Sequence, residues 1–68
     1  MNIGRALRYY RKKTDMSQAD IAEKLNISRQ AYSNYENGKR EPNIQLICDM
    51  AQVFGITTDE LFKKAMEK

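Results

Sequence analysis

The chain has 68 residues, 41% of them hydrophobic, and a formal net charge of +3. This length provides for one small core and leaves little sequence for the cleft and supporting residues that an enzyme needs. The chain has no histidine and one cysteine, Cys48, which excludes an intrachain disulfide, the usual zinc sites and His-dependent nucleophilic catalysis. We therefore expect a single domain, residues 1–68, that is not an enzyme and uses no metal or cofactor.

The distribution of charge is more informative than the total. Residues 1–14 contain five basic residues and no acid, and a second basic pair, Lys39 and Arg40, follows Asn37 and Gly38. Such clusters are typical of proteins that bind nucleic acid or an anionic lipid surface, and also of solvated helix faces. No apolar run approaches the roughly 20 residues of a membrane span, and no secretory signal is visible. We therefore expect a cytoplasmic protein.

Apolar residues recur at helical spacing along the whole chain, and no segment alternates as a strand does. The predicted helices cover residues 2–13, 17–25, 28–37, 43–54 and 57–67. Three times an apolar residue precedes a hydroxyl and another apolar residue follows it by four, so we predict N-caps with hydrophobic staples at Ser17, Ser28 and Thr57. Asp20 and Glu60 are spaced to complete two capping boxes.

The ends of the helices are marked as well. Residues that tolerate left-handed backbone follow four of the periodic segments: Asp15, Asn26, Gly38 and Gly55. The second and third helices are separated by only two residues, too few for antiparallel packing, which predicts the steep crossing of a helix-turn-helix with Leu25 and Ile27 buried at the corner. Asn43 is a fourth predicted N-cap.

The third helix decides what this unit does. At about 100° per residue, Ala31, Tyr32 and Tyr35 form one inward stripe. The opposite face has no carboxylate and no large apolar group, and consists of Arg29, Gln30, Ser33, Asn34 and Asn37. These side chains suit the hydrogen-bonding edges of bases, although an ordinary polar surface is the alternative. Base stacking by the two tyrosines is a second alternative to their place in the core.

The run from Met16 to Lys39, MSQADIAEKLNISRQAYSNYENGK, closely resembles the Cro/cI-type (XRE) helix-turn-helix regulators of bacteria and phages. The flanking LRYYRKK and EPNIQLICDMAQVFGITTDELF extend the resemblance to residues 3–62, with the motif itself at 17–37. The resemblance implies a compact all-α, five-helix, lambda-repressor-like domain that binds double-stranded DNA sequence-specifically as a transcriptional regulator, more often a repressor. Asn26 and Asp15 stand where the family usually or often has glycine, and both tolerate the required backbone.

The resemblance also implies roles for individual residues. Those at base-reading positions are Arg29, Gln30, Ser33 and Asn34. Those at phosphate-binding positions are Gln18, Ser28, Asn37, Lys39, Arg40 and Asn43. Arg11 and Glu36 match positions that commonly form a structural ion pair beneath the motif.

One such domain reads only a few base pairs, which favours a homodimer on a palindromic operator with half-sites about one helical turn apart. We assign this contact to Phe62 and Met66 of the last helix together with Val53, with closure of the core as the alternative. Two other functions remain open. The chain could be an antitoxin or adaptor that binds a partner protein, or its first helix could lie on anionic lipid, although the apolar stripe of Ile3, Leu7 and Tyr10 is better explained as core.

Overall fold

Residues 2–67 of the computed structural model form five helices and no strand. The first and last residues of the predicted domain lie outside this range. The helices are α1 (Ile3–Lys13), α2 (Gln18–Leu25), α3 (Arg29–Glu36), α4 (Ile44–Phe54) and α5 (Thr58–Met66). The all-α, five-helix prediction is confirmed. Each helix begins one residue later than predicted, because the predicted bounds counted the capping residue as the first helical one.

Every helix begins with a side chain that satisfies a free backbone donor. The caps accept a hydrogen bond from the backbone N–H three residues on, and they are Asn2, Ser17, Ser28, Asn43 and Thr57. Helices α2 and α5 begin with complete capping boxes. Each cap contributes about 0.5–2 kcal/mol. The predicted left-handed positions are confirmed, with φ of 57° at both non-glycine sites, 77° at Gly38 and 73° at Gly55.

The helices pack around a small apolar core. Helix α1 lies against α3 and α5, and α2 lies against α3 and α4. The largest fully buried side chains come from all five helices: Leu7, Ile21, Tyr32, Met50 and Leu61. Ile3 and Leu7 are buried in this core, so the apolar stripe of α1 is not available to a lipid surface. No helix within residues 2–67 has the length and apolar character required to cross a bilayer.

The corner between α2 and α3 is more open than predicted. Leu25 and Ile27 are half-buried, not buried, because they pack at the edge of the core, and Leu25 also lines an open groove. The turn itself is tight. Asn26 takes left-handed backbone, and the Ile27 N–H donates to the carbonyl of Ala22 at 3.0 Å. Helices α2 and α3 pack against each other on either side of this turn.

Candidate nucleic-acid interface

The outward side of α3 is a face of polar side chains, called here the polar face: Arg29, Gln30, Ser33, Asn34 and Asn37. Arg29, Gln30 and Asn37 are exposed, and the other two are half-buried. Within residues 29–37 the only carboxylate is Glu36, which is buried on the opposite side. The polar face therefore presents hydrogen-bond donors, hydrogen-bond acceptors and one positive charge to solvent.

Two side-chain hydrogen bonds order the polar face. The Gln30 Nε2 donates to Asn34 Oδ1 at 3.1 Å, and the Asn37 Nδ2 donates to Ser33 Oγ at 3.2 Å. Both pairs are four residues apart, so each spans one helical turn. Gln30 retains a free carbonyl oxygen and one N–H, and an Asn or Gln that offers both is suited to the adenine edge.

The loop after α3 is held against it by the backbone. The N–H groups of Lys39 and Arg40 donate to the carbonyl of Asn34 at 2.9 and 3.4 Å. Both basic side chains are exposed beside the end of the polar face. Asn43 lies farther along, where its Oδ1 caps α4 through the Leu46 N–H at 2.8 Å, and within residues 2–67 it makes no side-chain bond to the other predicted site residues.

Glu36 is the buried centre of a charged network beneath the motif. Its side chain is fully buried, and Arg11 binds both of its oxygens, with Nε at 2.6 Å from Oε2 and Nη2 at 3.2 Å from Oε1. The Gln18 Nε2 also donates to Oε1, at 3.1 Å. The remaining Arg11 nitrogen donates to the carbonyl of Met16 at 3.2 Å. The first residue of α2 and the last turn of α3 are therefore tied together through one carboxylate.

The network shifts the ionisation of its members. Burial alone would raise the pKa of Glu36, but the hydrogen bonds from Arg11 and Gln18, together with the neighbouring Tyr32 hydroxyl, outweigh it, so the pKa of Glu36 lies below its ordinary value. The hydrogen bond to Glu36 raises the pKa of Arg11. Both groups are therefore charged at neutral pH, and the pair is a buried ion pair.

Tyr32 lies beneath this pair and is fully buried. Burial, and then the neighbouring Glu36 carboxylate, raise the pKa of its phenol. The hydroxyl faces the ion pair, yet within residues 2–67 it has no hydrogen-bond partner at ordinary geometry. The base-stacking alternative for Tyr32 is wrong, because its ring is inside the core.

Sequence reasoning missed Arg8. The Arg8 Nε lies 3.4 Å from Glu36 Oε1, and its Nη2 donates to Asn37 Oδ1 at 3.3 Å. Arg8 and Arg11 are three residues apart and therefore share one face of α1, a spacing that could have pointed to this position.

The apolar residues assigned to a dimer contact differ in exposure. Val53 and Phe62 are half-buried and pack against the core, whereas Met66 is 65% exposed. Ile44, the first residue of α4, is 79% exposed and had not been singled out. Ile44 lies at the start of a helix between polar neighbours, so helical spacing did not mark it as an exposed apolar residue. Of the three assigned residues, Met66 therefore offers the most open apolar surface.

Comparison with known proteins adds independent information. The HTH_3 helix-turn-helix family model matches residues 7–61. The chain is 38% identical over 56 residues to the uncharacterized HTH-type transcriptional regulator MJ0272 of Methanocaldococcus jannaschii, covering 82% of this chain and 85% of that protein. It is 34% identical over 64 residues to the HTH-type transcriptional regulator ImmR of Bacillus subtilis, covering 94% of this chain and half of ImmR. The structure of the biofilm regulator SinR in complex with DNA superposes with a TM-score of 0.81 at 26% identity, covering 88% of this chain and 97% of that one.

Proposed function

This chain belongs to the XRE-type helix-turn-helix family of DNA-binding transcriptional regulators, and we propose on that premise that it reads a specific duplex sequence by placing α3 in the major groove. The observation that carries the proposal is the polar face of α3, whose side chains are exposed or half-buried, linked by hydrogen bonds and free of carboxylates. Arg29 is suited to the acceptor edge of guanine, and Gln30 and Asn34 to adenine, with Ser33 adaptable to either.

The flanking residues are proposed to hold the DNA backbone. Gln18 lies at the start of α2, where the helix dipole and free backbone N–H groups favour a phosphate. Lys39 and Arg40 supply positive charge beyond α3. Ser28 and Asn43 use an oxygen for capping and would offer the hydroxyl hydrogen or the amide Nδ2 to a phosphate. Such contacts set register and orientation, and the polar face supplies the specificity.

The finer proposal is a cytoplasmic homodimer that represses transcription from a palindromic operator. A single recognition helix covers few base pairs, and each mismatch costs only about 1–3 kcal/mol, so two half-sites are needed for useful discrimination. The exposed side chain of Met66 at the end of α5, with Phe62 beside it and Val53 on α4, is the proposed contact surface.

The base-reading assignment is tested by comparing two single variants. Arg29→Ala is expected to weaken binding to the cognate duplex by about 1–3 kcal/mol and to relax base preference, because it removes a groove contact. Lys39→Ala is expected to weaken binding to cognate and random duplexes alike and to lower the salt slope by about 1. Fluorescence anisotropy over a salt series, on a duplex obtained by selection from a random library, measures both. Identical behaviour of the two variants on both duplexes would show that Arg29 does not read bases.

The dimer surface is tested by oligomeric mass in solution. We expect Met66→Glu to weaken self-association by more than about tenfold, because a carboxylate would be buried without a partner. Ile44→Glu is the matched control: it adds the same charge at another exposed apolar residue, at the start of α4. Sedimentation velocity should find the wild type and Ile44→Glu dimeric and Met66→Glu monomeric. A monomeric wild type, or dissociation by Ile44→Glu alone, contradicts the assignment.

A further inference from the structure

Two guanidinium groups meet one buried carboxylate at the junction of α1 and α3. Arg11 binds both oxygens of Glu36, and its side chain is only 16% exposed. Arg8 reaches one oxygen at 3.4 Å, and its side chain is 48% exposed. Arg11 therefore neutralises Glu36 within the protein, and the charge of Arg8 remains in surplus at the surface.

We propose that Arg8 is a DNA-phosphate-binding residue that α1 contributes beside the end of the recognition helix. This inference rests on the proposed function and extends it to a helix outside the helix-turn-helix. A guanidinium can bind phosphate oxygens through paired N–H groups, and a positive charge next to a neutralised carboxylate is free to attract an anion.

The position of Arg8 supports this role. Its Nη2 donates to Asn37 Oδ1 at 3.3 Å, while the Asn37 Nδ2 donates to Ser33 Oγ at 3.2 Å. A continuous chain of hydrogen bonds thus joins Arg8 to a base-reading position. Arg8, Arg5, Asn37 and Gly38 also line one open surface depression with Asn2 and Glu36. A phosphate held there would lie next to the polar face.

The rival explanation is that Arg8 only supports Glu36. Both oxygens of Glu36 already accept hydrogen bonds from Arg11, and Oε1 accepts a further one from Gln18. The contact with Arg8 is at the long end of the hydrogen-bonding range. Removing the Arg8 charge should therefore leave the carboxylate satisfied and the fold intact, whereas it should change binding to a polyanion.

The test compares Arg8→Gln with Lys13→Gln in the full chain. Lys13 is an exposed residue of the same helix whose Nζ lies 5.7 Å from the centre of the Tyr9 ring, and the same ring is contacted by Lys64 of α5. Both variants lose one positive charge. Binding is measured on the selected duplex and on a random duplex of equal length between 50 and 300 mM salt. Arg8→Lys, which keeps the charge, is the second variant.

We expect Arg8→Gln to lower the salt slope by about 0.9 per bound protomer and to weaken binding roughly three- to tenfold on both duplexes. Lys13→Gln should bind like the wild type, Arg8→Lys should keep the wild-type slope, and the melting temperatures should agree. A wild-type salt slope in Arg8→Gln would overturn the inference, and so would equal losses of affinity in Arg8→Gln and Lys13→Gln. If Arg8→Gln fails to fold and Arg8→Lys folds, an Arg8→Lys salt slope below that of the wild type would also overturn it. If the wild type binds no duplex at all, the proposed function fails first.

Discussion

Replacing Glu36 with glutamine is expected to lower the free energy of unfolding by about 3–5 kcal/mol at pH 7. The amide cannot balance the charge of Arg11, which is mostly buried and has its Nε 2.6 Å from the carboxylate. Hydrogen bonds to Gln18 and Arg8 weaken as well, because a neutral amide oxygen is a poorer acceptor than a carboxylate. The loss is comparable with the entire stability expected of a small domain. Urea denaturation followed by circular dichroism measures it.

A double-mutant cycle separates the interaction free energy between Arg11 and Glu36 from the cost of leaving one of the two charges unpaired. Arg11→Met should be at least as damaging as Glu36→Gln, because it leaves a fully buried carboxylate without its main partner. The double variant Arg11→Met, Glu36→Gln should recover much of the loss, since no uncompensated charge remains in the interior. Losses that simply add across the two positions would show that the residues act independently.

The variant Glu36→Gln also removes one contribution to the loss of stability at low pH. The pKa of Glu36 is lower in the folded protein than its ordinary value of 4.5, so the unfolded chain binds the proton more readily. The contribution of Glu36 is therefore complete above about pH 4.5 and is lost as the pH falls through the folded pKa. Hydrogen bonds from Ser17 also lower the pKa of Asp20, which leaves some acid dependence in Glu36→Gln. The difference in free energy of unfolding between the wild type and Glu36→Gln should therefore shrink as the pH falls below about 4.5.

The features that sequence predicted best are local ones. An N-cap and its partner are three residues apart, so the pattern of Ser17, Ser28 and Thr57 contains nearly all the information that positions the helix starts. The left-handed turn at Asn26 is equally local. Side-chain polarity and helical spacing also placed the polar face of α3 outward and Tyr32 inward.

The features that sequence reasoning missed depend on contacts between distant segments. Arg8, Gln18 and Glu36 come from three helices, and only the packing of α1 and α2 on α3 brings their polar atoms together. Periodicity assigns a side chain to a face but does not say which distant side chain it meets. The prediction for Leu25 and Ile27 was wrong for a related reason, since how far a corner is covered depends on neighbouring elements.

Gly4 is a second case in which tertiary contact outweighs local preference. Within a helix, alanine is favoured over glycine by about 1 kcal/mol, so local reasoning predicts that Gly4→Ala is stabilising. A Cβ at this position would lie 2.3 Å from the carbonyl oxygen of Glu36 and 2.9 Å from that of Tyr35. Both obstacles are backbone atoms at the end of α3 and cannot swing away. Helix α1 would have to move, which would also stretch the contacts from Arg11 to Glu36.

We therefore expect Gly4→Ala to destabilise the protein by a net 2–3 kcal/mol or so, despite the better helix former. Gly55→Ala is the matched control: its Cβ meets nothing within 4 Å, and its cost is the left-handed backbone alone, with φ of 73° and a penalty of about 1–2 kcal/mol. In chemical denaturation, the free energy of unfolding should be lowest for Gly4→Ala, intermediate for Gly55→Ala and highest for the wild type. A Gly4→Ala variant as stable as the wild type would mean that α1 and α3 can separate without cost, and the close approach that brings Arg8 and Arg11 to Glu36 would then not be rigid.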